Sequence, residues 1–234
     1  MNFERDLILS ASREAWKMSS LHGTQSAAEY KRKHKDTWDK VWQRDKYRCY
    51  YCSFTAKEHQ EIHHLNDNHD DNSMDNLVTV CPLCHQNFHL DTASNTNGGK
   101  IIWLPEFSQQ ELNYLCRAIF IAIDEASSAE AEQREVPGFT KIARNLETSL
   151  EERTMIVDQR IYSGASDPAV FANALINMSK EQYDNRHKFL QPFKLLHLRS
   201  RFPTQTKYWK SKVFENIPVE TWSRLILNNS NNNE

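Results

Sequence analysis

Apolar positions recur at helical spacing in several stretches of the chain. The clearest follows Ser108, where Leu112, Leu115, Cys116, Ile119, Phe120 and Ile123 fall at three- and four-residue steps. That is the period of an amphipathic helix. Ser108 and Glu111 occupy capping-box positions just ahead of it, so the start of the helix is written as well as its face. Cys116 lies inside the apolar stripe and reads as a buried thiol, not a ligand. A second helix, from about Ser26 to Lys46, lines Ala27, Tyr30, His34, Trp38 and Val41 along one side, with Trp42 beside them. Weaker spacing at Ile142, Leu146, Leu150 and Ile156/Val157 predicts a helix from Thr140 to Ile161. Gly164 to Pro168 reads as a turn. Asp167-Pro168 then opens a further helix, with Asp at the N-cap and Pro at the first position, carrying Val170, Phe171, Leu175 and Ile176. Ser179 and Gln182 form another capping box, and Pro218 to Leu227 reads as a last short helix.

Strand signals are short. They are DLILS within Phe3–Ser10, EIHHL around His63-His64, and Lys100–Leu104, which Pro105 ends. Trp16 reads as a packing residue and Gly23 as a break. Residues 91–99, DTASNTNGG, read as a loop, Ser127–Gly138 as a linker or a frayed helix end, and the Asn-rich end as disordered.

Composition narrows the classes. With 234 residues, 39% of them hydrophobic and 11% aromatic, the chain can bury a real core. No run of about 18 apolar residues exists, which excludes a spanning helix by sequence. The first 24 residues lack a secretory pattern, and the expected location is cytoplasmic. A net charge of −2 gives no global pull towards nucleic acid. Two segments are nonetheless basic. Residues 31–46 carry Lys31, Arg32, Lys33, Lys35, Lys40 and Arg44. Residues 186–212 carry Arg186, Lys188, Lys194, Arg199, Arg201, Lys207, Lys210 and Lys212 without an acid, interleaved with Phe189, Phe193, Phe202, Tyr208 and Trp209. Either segment could track nucleic-acid phosphates. The alternatives are docking on an acidic partner, and, for the second segment, on anionic lipid, or a solvated face whose aromatics belong to the core.

The chemistry concentrates between Tyr47 and Leu90. Two Cys-x-x-Cys knuckles, Cys49/Cys52 and Cys81/Cys84, enclose His63-His64; His85 and His89 follow. Two knuckles supply the four thiolates that tetrahedral zinc prefers. The usual spacer is about 15–20 residues, whereas 28 residues separate Cys52 from Cys81. The excess predicts a structured insertion that leaves the ion and returns. The rival readings are a chance cluster of thiols, or disulfides, which need an oxidising compartment. His85 and His89, four apart, would share a face if helical. His63 and His64 would point to opposite sides of a strand, so one can ligate while the other meets a different partner. Tyr50, Tyr51 and Phe54 are placed to cover the knuckle. His59 and His69 read as surface residues of a polar loop.

This arrangement resembles the HNH (ββα-metal) nuclease family through Cys49-x-x-Cys52, His63-His64, Asn76-Leu77, Cys81-x-x-Cys84-His85 and His89. The resemblance implies that His63, His85 and His89 bind a catalytic divalent metal, that His64 is the general base, and that Asn76 holds the loop and orients that base. A neutral imidazole can take a proton near pH 7. Three imidazoles suit Zn²⁺, Ni²⁺ or Mn²⁺ better than Mg²⁺. One departure stands out. Where Pro and Gly often follow the His pair, this chain has an acidic run, and Asp67, Asp70, Asp71 and Asp75 would repel a phosphate backbone.

A second resemblance covers more of the chain. VWQRDKYRCYYCSF (41–54), SMDNLVTVCPLC (73–84), the GGKIIWLPEFSQQELNYLCRAIFIAI run (98–123) and SGASDPAVF (163–171) are similar to the IcmJ/DotN component of type IVB (Dot/Icm) secretion and related conjugation systems. Generic HNH nucleases have no reason to share the last two blocks. The resemblance implies an adaptor that keeps the cysteine-zinc core and binds the C-terminal region of a coupling-protein ATPase at the inner membrane. Members of that family tend to lose the histidines that are present here. The expected fold is α+β: a zinc-stapled HNH-like ββα core with a mainly helical C-terminal half. The expected organisation is an N-terminal strand and basic helix (1–46), the zinc core with its packing helix (47–126) and a helical C-terminal region (127–234).

Overall fold

The computed structural model describes residues 7–11, 27–219 and 221–222. Trp16, Gly23, most of the helix expected at Pro218–Leu227 and the Asn-rich end lie outside the described residues. In chain order the elements are α1 (Ala27–Arg44), β1 (Glu61–His64), β2 (Leu77–Val80), α2 (Pro82–Gln86), α3 (Leu90–Asn95), β3 (Gly99–Trp103), α4 (Gln109–Ala131), α5 (Phe139–Glu152), α6 (Thr154–Arg160), α7 (Pro168–Ile176), α8 (Lys180–Asp184), α9 (His187–Leu190), β4 (Phe193–His197) and α10 (Pro203–Tyr208). A 3₁₀ turn covers Arg199–Arg201, and a π-helical turn, Trp209–Val213, follows α10. The described residues form a mixed α/β structure with two small sheets.

The first sheet is the hairpin β1–β2, paired antiparallel from Glu61↔Val80 to His64↔Leu77. Helix α1 packs on its back. Val41, with Trp38 and Trp42, meets Ile62 and Leu77, as the helical stripe predicted. Polar contacts lock the same junction. Arg44 donates to the carbonyls of Met74 and Leu77 at 2.6 and 2.7 Å, and the Asp45 carboxylate accepts the Thr79 N–H at 2.8 Å.

The second sheet pairs β3 with β4 antiparallel, from Gly99↔His197 to Trp103↔Phe193. It joins segments almost a hundred residues apart. The sequence predicts no strand in the basic stretch 186–212, yet its centre, FKLLH, is one, with Leu195 and Leu196 buried in the core. A side chain at Gly99 would sit 2.5 Å from Leu195 Cδ1, so close pairing here needs glycine.

Helix α4 is the spine. Ser108 accepts from the Glu111 N–H, and the Glu111 side chain accepts from Ser108 N–H, so the capping box forms as predicted. The stripe Leu112, Cys116, Ile119, Phe120 and Ile123 is buried in the main core, together with all four knuckle cysteines and Trp209. The caps at Asp167 and at Ser179/Gln182 also form.

Three further expectations are corrected. Leu7–Ser10, the described part of the DLILS signal, belongs to no strand; Ser10 N–H bonds Asn87 O at 2.8 Å instead of entering a ladder. Residues 90–95 are the helix α3, not a loop, because Leu90 and Ala93 are buried on one side. The single helix expected over 140–161 is two, α5 and α6, meeting at Arg153.

Candidate metal centres

Backbone geometry makes the first knuckle. Lys46, Tyr47 and Ser53 take positive φ, and the turn closes with Cys49 N–H on Phe54 O and Ser53 N–H on Cys49 O, both 2.9 Å. The second knuckle is the exit of β2. Cys81 caps α2, Pro82 starts it, and Cys84 lies in its first turn. Between them the 28-residue insertion runs out, forms β1 and β2, and returns; Tyr50 N–H bonds Thr79 O at 2.8 Å where it comes back. The sulfurs of Cys49, Cys52, Cys81 and Cys84 lie within 4.8 Å of one another and are buried. Four sulfurs around zinc at about 2.3 Å must stand about 3.8 Å apart. Cys52 and Cys81 stand 3.7 Å apart, a zinc-like spacing and far beyond a disulfide. Hydrogen bonds from Cys49, Cys52 and Cys81, then burial, push the Cys84 thiol well up, while bonds from Cys81 and Cys84 leave Cys49 lowered despite its burial.

The surroundings are built for thiolates. One side of α4 carries Gln109, Asn113 and Arg117, spaced by four and each at most 2% exposed. Asn113 Nδ2 donates to Cys84 Sγ at 3.3 Å, and Arg117 Nη2 to Cys81 Sγ at 3.5 Å. Tyr114 donates its hydroxyl to Cys52 O. Gln109 exchanges two hydrogen bonds with the Leu195 backbone, each 2.9 Å, and bonds Asn113. His197 bonds Asn113 Oδ1 at 2.9 Å and Gln86 at 2.7 Å. The knuckles are thus tied through α4 to β4. Arg117 stacks on Phe54, 3.7 Å from the ring centre. Among the described residues no carboxylate pairs with it. A buried guanidinium needs a negative partner; a zinc ion with four thiolates carries two negative charges and supplies one.

The histidines form a second cluster. Strand alternation puts Glu61 and His63 on one face of β1, towards α2, and His64 on the other. His63 faces His85, ring centres 5.5 Å apart, and stacks on Phe88. His85 and His89 do not share one helix. His85 lies in the last turn of α2 and His89 caps α3; the bend between them still brings their Nε2 atoms to 3.2 Å. One ligand atom from each of His63, His85 and His89 lies within 4.8 Å of the others. Imidazole nitrogens about 2.0–2.1 Å from a tetrahedral ion stand about 3.4 Å apart, so the residues fit one. Glu61 Oε2 lies 2.6 Å from His85 Nδ1. That contact places the ring proton on Nδ1 and leaves Nε2 free to ligate, the usual support of a metal-bound histidine. Burial lowers His63 to about 3 and holds His89 well below its ordinary value.

His64 lies beyond this trio. Burial lowers it to about 4, its Nε2 is 3.3 Å from Asn72 Oδ1, and its ring stacks on His69 at 4.7 Å. The surface reading of His69 is therefore corrected: it packs against His64, and its carbonyl accepts from Tyr30 at 2.6 Å. His59 meets Tyr208 edge-on at 5.3 Å. Asn76 holds the loop, accepting from Asn66 N–H at 3.0 Å and donating to Asp71 O at 2.8 Å; Asn72 is the asparagine at the ring of His64. Sequence reasoning missed Glu61, His69, Asn72, Asn113 and Arg117.

Part of the basic character is spent internally, while Arg32, Lys33 and Lys40 are exposed. Lys35 pairs with Asp39 at 2.7 Å. Arg186 bonds Ser10 Oγ at 2.9 Å, Lys194 is buried, Arg199 pairs with Glu147, and Lys210 lies between Asp124 and Glu125. Lys188, Arg201, Lys207 and Lys212 are exposed.

Fold and site together define a mixed α/β protein pinned by four buried cysteines that could hold a zinc ion. No helix of the described residues is long and apolar enough to cross a membrane. No family model matches the chain. It is 32% identical over 214 residues to the type 4 apparatus protein DotN of Legionella pneumophila, a match that covers 91% of this chain and 92% of that protein. The chain belongs to the DotN family of type 4 apparatus proteins.

Proposed function

We propose that this chain is an adaptor in the coupling complex of a type IVB secretion or conjugation system, and that it binds the C-terminal region of the coupling ATPase. The observation that carries the reading is the extent of the likeness to DotN, which spans nearly the whole chain and not the cysteine segment alone. The four cysteines act as a structural zinc staple. The order β1–β2–α2, with knuckles at both ends, supports an HNH-like ββα origin for this core. The adaptor works in the cytoplasm and is recruited to the inner membrane by its complex. Residues 1–46, 47–126 and 127–234 are its proposed divisions. A pull-down with the cognate ATPase tail tests the reading, and failure to retain any such tail rejects it.

A second reading has a specific observation in its favour, the convergence of His63, His85 and His89. In it these residues hold a divalent transition metal, and the protein is a metal-dependent HNH endonuclease. When bound, the metal would offset charge that builds on a scissile phosphate. The chain's own part is that His64 takes the proton from water while Asn76 keeps its loop in place and Asn72 holds its ring. Segments 31–46 and 186–212 would carry the nucleic acid, although Lys35, Arg44, Arg199 and Lys210 are held in ion pairs. Supercoiled plasmid with Mn²⁺, Ni²⁺ or Mg²⁺ should be nicked and His64→Ala should stop it. An intact plasmid under every metal ends this reading.

A further inference from the structure

The histidine cluster opens to the surface on one side. A pocket of about 180 Å³ is lined there by Glu61, His85, His89, Thr92, Arg201 and Gln205, among others. Two of the three candidate ligands are thus in its wall. A metal held by three imidazoles keeps a coordination position for an exchangeable ligand, and this pocket is where such a ligand can enter.

The lining also includes a cation from a distant part of the chain, Arg201. Arg201 ends the 3₁₀ turn after β4, and its N–H bonds Leu198 O at 3.0 Å. The next residue anchors it: Phe202 is buried, stacks on Phe120 at 6.1 Å and meets His197 edge-on at 5.9 Å. The backbone of Arg201 is therefore fixed while its side chain is exposed. Its neighbour Arg199 pairs with Glu147 at 3.3 Å; among the described residues no carboxylate pairs with Arg201. The hydroxyls of Thr92 and Thr96 already donate to the carbonyls of His89 and Thr92. Arg201 is the one lysine or arginine among the residues that line this pocket.

We propose that the pocket takes a phosphate-type oxyanion, bridged between a metal on His63, His85 and His89 and the guanidinium of Arg201. The assignment rests on the second reading above, that the histidines hold a metal. A tetrahedral oxyanion can present one oxygen to the metal and two to the guanidinium fork, which matches phosphate geometry. Arg201 lies outside the cysteine-histidine segment, so the C-terminal half completes a site that the knuckles begin.

The test uses the full chain with its cysteine-bound zinc, loaded with Mn²⁺, and inorganic phosphate as the probe. The electron paramagnetic resonance of Mn²⁺ reports whether the ion is bound, and the ³¹P line width of phosphate reports whether the anion reaches it. Wild type should broaden the phosphate line. Arg201→Ala should need about 10-fold more phosphate for the same broadening, the scale of one charge-assisted contact, with Mn²⁺ binding unchanged. Arg201→Lys should fall between. Broadening by Arg201→Ala at wild-type phosphate concentrations overturns the assignment, as does a wild type that binds Mn²⁺ and leaves the phosphate line sharp. If Mn²⁺ binds wild type no better than His85→Ala, the metal reading itself fails and this one with it.

Discussion

Arg117 Nη2 sits 3.5 Å from the sulfur of Cys81, and Arg117 is only 2% exposed. A buried guanidinium with no carboxylate partner among the described residues is tolerable when that sulfur is a thiolate. The pair therefore links core stability to metal occupancy. Arg117→Ala should destabilise the holo protein by about 3–5 kcal/mol, the usual cost of breaking a buried charge pair, and should speed zinc loss to a chelator. Denaturant melts with a colorimetric zinc-release assay check both. An unchanged midpoint and release rate would argue against a thiolate partner.

Removing the metal should unfold more than the knuckles. The cysteines share one core cluster with Phe120 and Trp209, so a strong chelator should lower the thermal midpoint of the whole molecule in a single transition. Cys84→Ser should reproduce that state without chelator. A chelated protein that keeps its wild-type melt contradicts the prediction.

His197 gives a pH dependence. Burial, then the charge of Arg117, lowers it to about 3, against about 6.5 in the unfolded chain. Its folded pKa is depressed, so the unfolded state binds the extra proton. Its contribution to stability is complete above about pH 6.5 and falls as pH drops from there towards 3, by up to about 1.4 kcal/mol per unit. Zinc loss in acid has the same sign, so the comparison is with His197→Gln, whose stability should fall less steeply between pH 6.5 and 5. Parallel slopes would contradict the assignment.

At the histidine cluster the decisive side chain is Glu61. Glu61→Gln removes the carboxylate that fixes the His85 tautomer and should weaken binding of a second ion, probed with Co²⁺, by roughly 10–100-fold. The visible spectrum separates nitrogen-bound from thiolate-bound Co²⁺. Equal affinity in mutant and wild type would show that the contact is incidental.

Local signals carried a good part of this structure. The Ser108 capping box and the Leu112–Ile123 stripe fix α4 by short-range chemistry, and Cys-x-x-Cys spacing forces pairs of sulfurs together whatever surrounds them. What stayed hidden was tertiary. β4 is five residues inside a basic stretch, and its partner β3 lies almost a hundred residues earlier, so no local pattern announces the pairing. His69 gains its place only when its loop folds onto His64. Two signals were nevertheless available. Gln109, Asn113 and Arg117 form a polar row at four-residue steps along a helix whose neighbours are apolar, and such a row must face a buried polar object. Glu61, two residues before His63 in a strand, had to share its face.

The most direct test of the central claim is elemental analysis of the purified protein. The account predicts one firmly held zinc per chain that disappears in Cys49→Ser and Cys84→Ser, with any second metal removable by mild chelation and lost in His85→Ala. A folded protein that contains no zinc, or whose zinc survives loss of those cysteines, would contradict it.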